Sequence, residues 1–278
     1  LMYCIIHKKD KRMDRMESNM EKIFISNIKI NKVRHLENIE IKLSDQEAKH
    51  LIITGKNGSG KTSLLNSIAT FLGSITNSDN PMDAMRYLEN DKKNLIVSKE
   101  KGNTLEVRKI KERIAYFEKE IEETSAGIML DLNCSLEDVR QEFQQGHFIV
   151  AYYKADRVFR AQVPKHVEKV ELKNDYTIDE TPRDDFIKYL LDLKMTQALA
   201  ASNGKEEKAG KIKAWFERFE KLLQTIFEDD FLKLEFDEDT FKFKIIMNGR
   251  EPFDFNTLSS GFAAVLDIVV DVIIRMEK

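Results

Sequence analysis

Residues 55–62 read Gly-Lys-Asn-Gly-Ser-Gly-Lys-Thr and fit G-x-x-x-x-G-K-[ST] at every defined position. A loop of this pattern does one kind of chemistry. Gly55, Gly58 and Gly60 permit dihedrals that a side chain would forbid, so the N–H groups around Lys56, Asn57 and Ser59 can curl toward one centre and bind phosphate oxygens. Lys61 brings the positive charge that reaches the β- and γ-phosphates, and is the candidate catalytic cation. The Thr62 hydroxyl is the candidate ligand for a magnesium ion, and Ser63 is the last nucleotide-binding candidate of the run.

The loop needs a strand before it and a helix behind it. His50–Thr54 is a short apolar run ending at Gly55, the profile of a buried parallel strand. Leu64, Leu65, Ile68 and Leu72 then recur at helical spacing. A helix opening at Thr62 turns its partial positive end toward the phosphates. The expected cofactors are therefore a nucleoside triphosphate and Mg2+. Tyr153-Lys154-Ala155-Asp156 resembles the guanine-reading motif of GTPases, but Tyr stands where Asn or Thr is usual. No Asp between the loop and this point has Gly three residues on, so the matching switch motif is missing. ATP is the expected nucleotide.

Elsewhere, Lys22–Ile30 and Leu36–Leu43 alternate apolar and polar residues and read as strands. Residues 74–103 are rich in Asn, Ser, Asp and Lys and read as a loop or weakly structured insertion. Val107, Ile110, Ile114, Phe117 and Ile121 form a heptad seam. It is too short for a coiled-coil arm, which needs at least about three or four heptads, so it reads as one amphipathic helix. His147–Tyr153 is a second buried-strand candidate. Thr181-Pro182 with Asp184 and Asp185 marks a helix start. A helix over Glu206–Glu228 buries Trp215, Phe216 and Phe219. A hairpin follows, turning at Asp237–Thr240.

Composition sets broad limits. The 278 residues are 42% hydrophobic and 33% charged, yet the formal net charge is only -3. That balance exerts no general pull on nucleic acid or an anionic membrane. It makes the long helical segments read as solvated faces, and it does not locate a local basic patch. Cys4 and Cys134 have no metal or redox spacing, which fits a reducing, cytoplasmic setting. No apolar run reaches transmembrane length, so no membrane partner is expected.

Leu258-Ser259-Ser260-Gly261-Phe262 follows an extended segment and opens an apolar helix. It resembles the LSGG signature of ABC-class ATPases. Together with the N-terminal strand pattern and GKNGSGKTS, the segment FNTLSSGF makes the chain resemble the SMC/RecF-type branch. That branch includes DNA-repair heads and stand-alone bacterial AAA/OLD-like ATPases found beside defence genes. The resemblance covers residues 21–72 and 231–278. It implies an α/β P-loop fold, with a mixed central sheet, a smaller antiparallel sheet and helical insertions. It also implies a homodimer through the ATP sites, in which Ser259, Ser260 and Gly261 hold the γ-phosphate bound to the opposite subunit, and Ser259 is the second catalytic candidate. Read from its position alone, Ser259 or Ser260 caps the last helix. DNA, or an effector such as a nuclease, is the implied partner. The implied activity is an ATPase switch in repair or anti-phage defence. The alternative is an ATP-sensing scaffold that needs no turnover.

Two departures from the family pattern stand out. Ser260 occupies a position where glycine is common. No acidic Walker B strand follows the signature, because Asp267, Asp271 and Arg275 in Val265–Arg275 are four apart and share one helical face. The chain is expected to stop before that strand, so hydrolysis is expected of the full-length protein and not of this chain alone. Gln141, Gln144 and Gln145 are Q-loop candidates that also fit a solvated helix end. Arg34 after the first strand, and Arg157, are candidate contacts to adenine or phosphate. The expected organisation is a tail over 1–20, the P-loop part over 21–75, a helical insertion over 76–145, a core strand and loop over 146–180, a helical lobe over 181–230, and the hairpin, signature and last helix over 231–278.

Overall fold

The computed structural model describes residues 2–7, 22–76, 81–154 and 161–278. They divide into two compact units, Leu1–Tyr153 with Asn174–Glu180, and Lys154–Lys173 with Thr181–Lys278.

In the first unit the order is β1 (Met2–His7), β2 (Ile25–Val33), β3 (Leu36–Lys42), α1 (Lys61–Thr76), α2 (Pro81–Glu100), α3 (Thr104–Thr124), β4 (Ile128–Leu132), α4 (Leu136–Gln144) and β5 (Phe148–Tyr153). β2 is the centre of a three-stranded sheet, flanked by β3 and β4, and β1 pairs with β5. Every one of these pairings is antiparallel. The alternation read from the sequence places Ile28 and Ile30 on the inner face of β2, and Val33, where the alternation breaks, is buried as well. They meet Leu64, Ile68, Phe71 and Leu72 of α1, which makes the helix behind the phosphate loop the pillar of this core. Each such fully buried side chain contributes about 1.5–3 kcal/mol. Gly127 closes the sheet edge: its carbonyl accepts from the N–H groups of both Asn31 and Lys32. Its φ is +78°, and a Cβ there would stand 1.9 Å from the Lys32 carbonyl oxygen, so only glycine fits.

The structure corrects three expectations in this unit. Residues 51–54 take no regular secondary structure and pair with no strand among the described residues, and Ile52 is 83% exposed. The mixed central sheet is therefore not formed among the described residues; an apolar run makes a buried strand only where neighbours complete its ladder. The polar stretch before Asn103 contains the helix α2, which begins at Pro81, has Asp83 in its first turn and Lys99 in its last. It folds back on α3 as a helical hairpin, joined by a three-residue turn. The seam of α3 is the one read from the sequence, with Ile110 and Ile121 buried. Asp91 of α2 lies in that seam, bound by Arg113 Nε at 2.9 Å, and Tyr87 stacks on Phe117 at 5.4 Å. Finally, Met2–His7, within the segment read as a tail, align in register along β5, from Met2 opposite Tyr153 to His7 opposite Phe148. The rest of that segment, residues 8–20, lies outside the described residues.

In the second unit a 3-10 turn, Pro182–Asp185, leads into α5 (Phe186–Ser202) and α6 (Glu206–Phe227). Then come β6 (Lys233–Asp237), β7 (Lys242–Ile246), the two-residue β8 (Phe253–Asp254) and α7 (Ser260–Met276). The three strands form an antiparallel sheet in that order. Trp215 is half-buried in an aromatic cluster, less enclosed than the sequence reading expected: it lies 5.6 Å from Phe219 and 5.8 Å from Tyr189, and its Nε1 donates to Glu277 at 3.0 Å. Burial, reinforced by Glu277, pushes the Tyr189 hydroxyl well above its ordinary range and keeps it neutral.

Candidate nucleotide-binding site

The loop before α1 has the backbone that its glycines predict. Gly58 and Gly60 take φ of +82° and +86°. Ser59 N–H bonds back to the Lys56 carbonyl at 3.2 Å, and Leu64 N–H bonds to the Gly60 carbonyl at 2.9 Å. The loop thus turns tightly and passes directly into the helix. The Lys61 ammonium reaches back into the turn and donates to the carbonyls of Gly55 at 2.7 Å and Lys56 at 2.8 Å, with Ser59 Oγ at 3.5 Å. The cation therefore already sits inside the cradle. No acidic side chain occupies the first turn of α1, so nothing there offsets the positive end of the helix. Thr62 is exposed at that end, beside the half-buried Ser63.

The tip of the β2–β3 hairpin is a two-residue turn, Arg34-His35, with Arg34 at φ +55°. It is pressed against the loop. A Cβ on Gly60 would lie 3.1 Å from Leu36 Cδ1 and 3.2 Å from His35 Cε1. The structure thus brings the turn that carries Arg34 to the phosphate loop, and adds His35, which the sequence reading missed. His35 has no motif of its own; only its place in a turn that folds onto Gly60 marks it.

Tyr153, the first residue of the guanine-motif resemblance, is 1% exposed in the core and cannot read a base. Its neighbour Tyr152 bonds to Asn66 on α1. Asp156 and Arg157 lie outside the described residues. Gln141 and Gln144 sit on α4, and Gln145 caps it.

In the second unit Ser259 stands at the N-cap position of α7 with extended dihedrals, φ -60° and ψ 153°, but its side chain makes no capping bond. Its carbonyl accepts from Ala263 N–H at 2.9 Å. Ser259, Ser260 and Gly261 are all exposed, and a Cβ on Gly261 would meet nothing within 4 Å. The approach to this helix end is fixed. Asn256 donates to the Ala161 carbonyl at 2.8 Å and accepts from its N–H at 2.9 Å, while Asp254 accepts from the Asn256 N–H at 2.9 Å. Phe262 is anchored by stacking on Phe227 at 4.6 Å.

Behind the signature, Val265–Asp271 is helical throughout, as the four-residue spacing of its acids implies. Asp267 and Asp271 are fully buried. Arg183, from the 3-10 turn, places Nε 2.8 Å from Asp267 Oδ1, and Arg275 Nε donates to Asp271 at 2.8 Å. These carboxylates neutralise arginines inside the unit. Arg183 is a partner that the sequence reading did not find.

The whole arrangement, from strand hairpin to glycine loop to helix, coincides with a known domain. The family model described as an AAA domain matches residues 27–242. The chain belongs to the AAA domain family. No curated protein and no solved structure matches it. The AAA domain is a P-loop α/β nucleotide-binding fold whose members use nucleotide and Mg2+. Among the described residues of this AAA domain no group of three or more His, Cys, Asp or Glu is placed to hold a metal ion. The thiol of Cys134 is pushed up by burial and by the nearby Asp138 and Glu142, which keeps it protonated. No helix among the described residues is long and apolar enough to cross a membrane.

Proposed function

We propose that this AAA domain is an ATP-driven dimerisation head of the SMC/RecF type, coupling nucleotide state to a DNA- or effector-bound state in the cytoplasm. The observation that carries the reading is Lys61, held inside the glycine loop by backbone carbonyls that triphosphate oxygens would replace as its partners. In this reading the loop from Gly55 to Ser63 binds ATP and Thr62 ligates magnesium, while the Arg34-His35 turn lines the loop's edge. A magnesium ion held there by Thr62 would supply positive charge against the phosphates. Ser259, Ser260 and Gly261 complete the neighbour's site. The Ser259 hydroxyl caps nothing in its own helix and so suits an anion carried by another subunit. A two-fold pair follows, each phosphate loop facing the other chain's signature.

The test of the dimer is light scattering with a non-hydrolysable ATP analogue. Association is expected with the analogue and not with ADP. Ser259→Arg should abolish that association while single-chain nucleotide binding stays within about twofold, because the new bulk lies outside the chain's own loop. Equal pairing by the variant refutes the signature role.

A further inference from the structure

The α2–α3 hairpin carries a charge separation that the net charge of the whole chain conceals. Its distal half, residues 92–111, holds Lys92, Lys93, Lys99 and Lys101 from α2 and the turn, and Arg108, Lys109 and Lys111 from α3. Only Glu100 and Glu106 oppose them, which leaves a surplus of five positive charges in a chain whose total is -3. All seven basic residues are exposed. The proximal half carries the opposite surplus, with Glu112, Glu118 and Glu120 among its acids. Two of the seven cations have carboxylates at 3.1 Å, Lys92 with Glu118 and Arg108 with Glu112, but such exposed pairs hold little energy and yield to a stronger anion. Ile96 and Leu105, 61% and 67% exposed, lie on the same distal half without a core to join.

We infer that the distal half of the α2–α3 hairpin is a docking surface for the phosphodiester backbone of duplex DNA. Charge complementarity carries the assignment: the surplus is confined to about half of a helical hairpin some 30 Å long, and a polyanion is the partner that uses all of it. The shape selects duplex DNA. A duplex presents two rows of phosphates, about one charge per 1.7 Å of axis, along a rod that a hairpin some 30 Å long can lie beside. Lys92 and Lys99, seven apart, line one flank of α2, and Arg108 and Lys111, three apart, line one flank of α3. Cations on both helices can then meet phosphates along one side of the duplex. Such contacts position the protein without reading sequence. This inference rests on the DNA-coupled branch of the proposed function and names the surface that serves it.

The test uses the whole chain and a fluorescent duplex of about 24 base pairs, with salt raised from about 50 to 200 mM. With about four phosphates neutralised, binding should weaken about 100-fold over that range. Reversing Lys99, Lys101, Lys109 and Lys111 to Glu should weaken binding at least about 30-fold and flatten the salt dependence by about three to four in log–log slope. A control reverses four exposed lysines around α6, Lys205→Glu, Lys208→Glu, Lys211→Glu and Lys213→Glu, and should retain binding. Helical content is checked by circular dichroism, and a milder set of Lys→Gln changes at the hairpin positions covers any variant that misfolds. Binding of a fluorescent ATP analogue, measured on the same variants, should be unchanged; its loss everywhere would sink the nucleotide reading and leave the hairpin result standing. Three outcomes overturn the inference: equal loss in the α6 control, tighter binding of an RNA duplex of the same length, or salt-sensitive self-association that the hairpin reversal abolishes while DNA is ignored. The last would place the basic tip against the acidic base of a second copy.

Discussion

Lys61 is the residue on which the site turns. Its ammonium is satisfied by two carbonyls at 2.7 and 2.8 Å, and in the proposed reading phosphate oxygens would take their place. Removing the cation removes that interaction and also loosens the turn. Lys61→Ala should weaken ATP binding about 100-fold or more in isothermal titration, and wild-type chain should prefer ATP to GTP. Tighter binding of GTP would count against the whole assignment, in which Tyr153, the first position of the guanine-motif resemblance, is buried. Much of this site was legible. The glycine spacing alone located the loop, and the i,i+4 acids identified α7 as a helix. His35 and Arg183 were not legible, because each acts through a contact that only the folded chain creates; Arg183 is 88 positions from Asp271.

At the scale of elements, α7 depends on its buried charges. Arg183 and Arg275 compensate two carboxylates with no exposed surface, and removing one cation strands a buried charge. Arg183→Met should therefore destabilise the second unit by about 3–5 kcal/mol, lowering its melting temperature by about 10 °C in calorimetry. A shift of under about 2 °C would mean that the pair contributes little net stability. The elements that sequence reading misjudged share a physical cause. α2 was obscured because Asp91 occupies its seam, where an apolar residue would have completed the period, and its partner Arg113 lies on another helix. His50–Thr54 has strand propensity without a strand's neighbours, and propensity cannot supply a ladder.

For the molecule as a whole, the placement of Asp267 and Asp271 bears on turnover. Both are sequestered by arginines inside the second unit, so neither is free to orient magnesium or an attacking water. The 278-residue chain should release phosphate from ATP only slowly, even when dimeric, and a coupled phosphate assay decides the matter. Robust hydrolysis that Asp271→Asn abolishes, with the fold intact, would show that α7 rearranges to expose its carboxylates.

The bare segment beside the phosphate loop has a material consequence. Leu51–Thr54 have peptide groups outside any strand ladder and, at Ile52, an aliphatic side chain that is 83% exposed. Such an edge is adhesive toward any extended chain, including the same segment of another molecule. The protein's colloidal behaviour is thus tied to its ligand site. Concentrated solutions of this chain will tend to gel or precipitate through the very region that precedes Gly55, and a short Lys or Pro substitution there would improve handling at the cost of disturbing the entry to the nucleotide cradle.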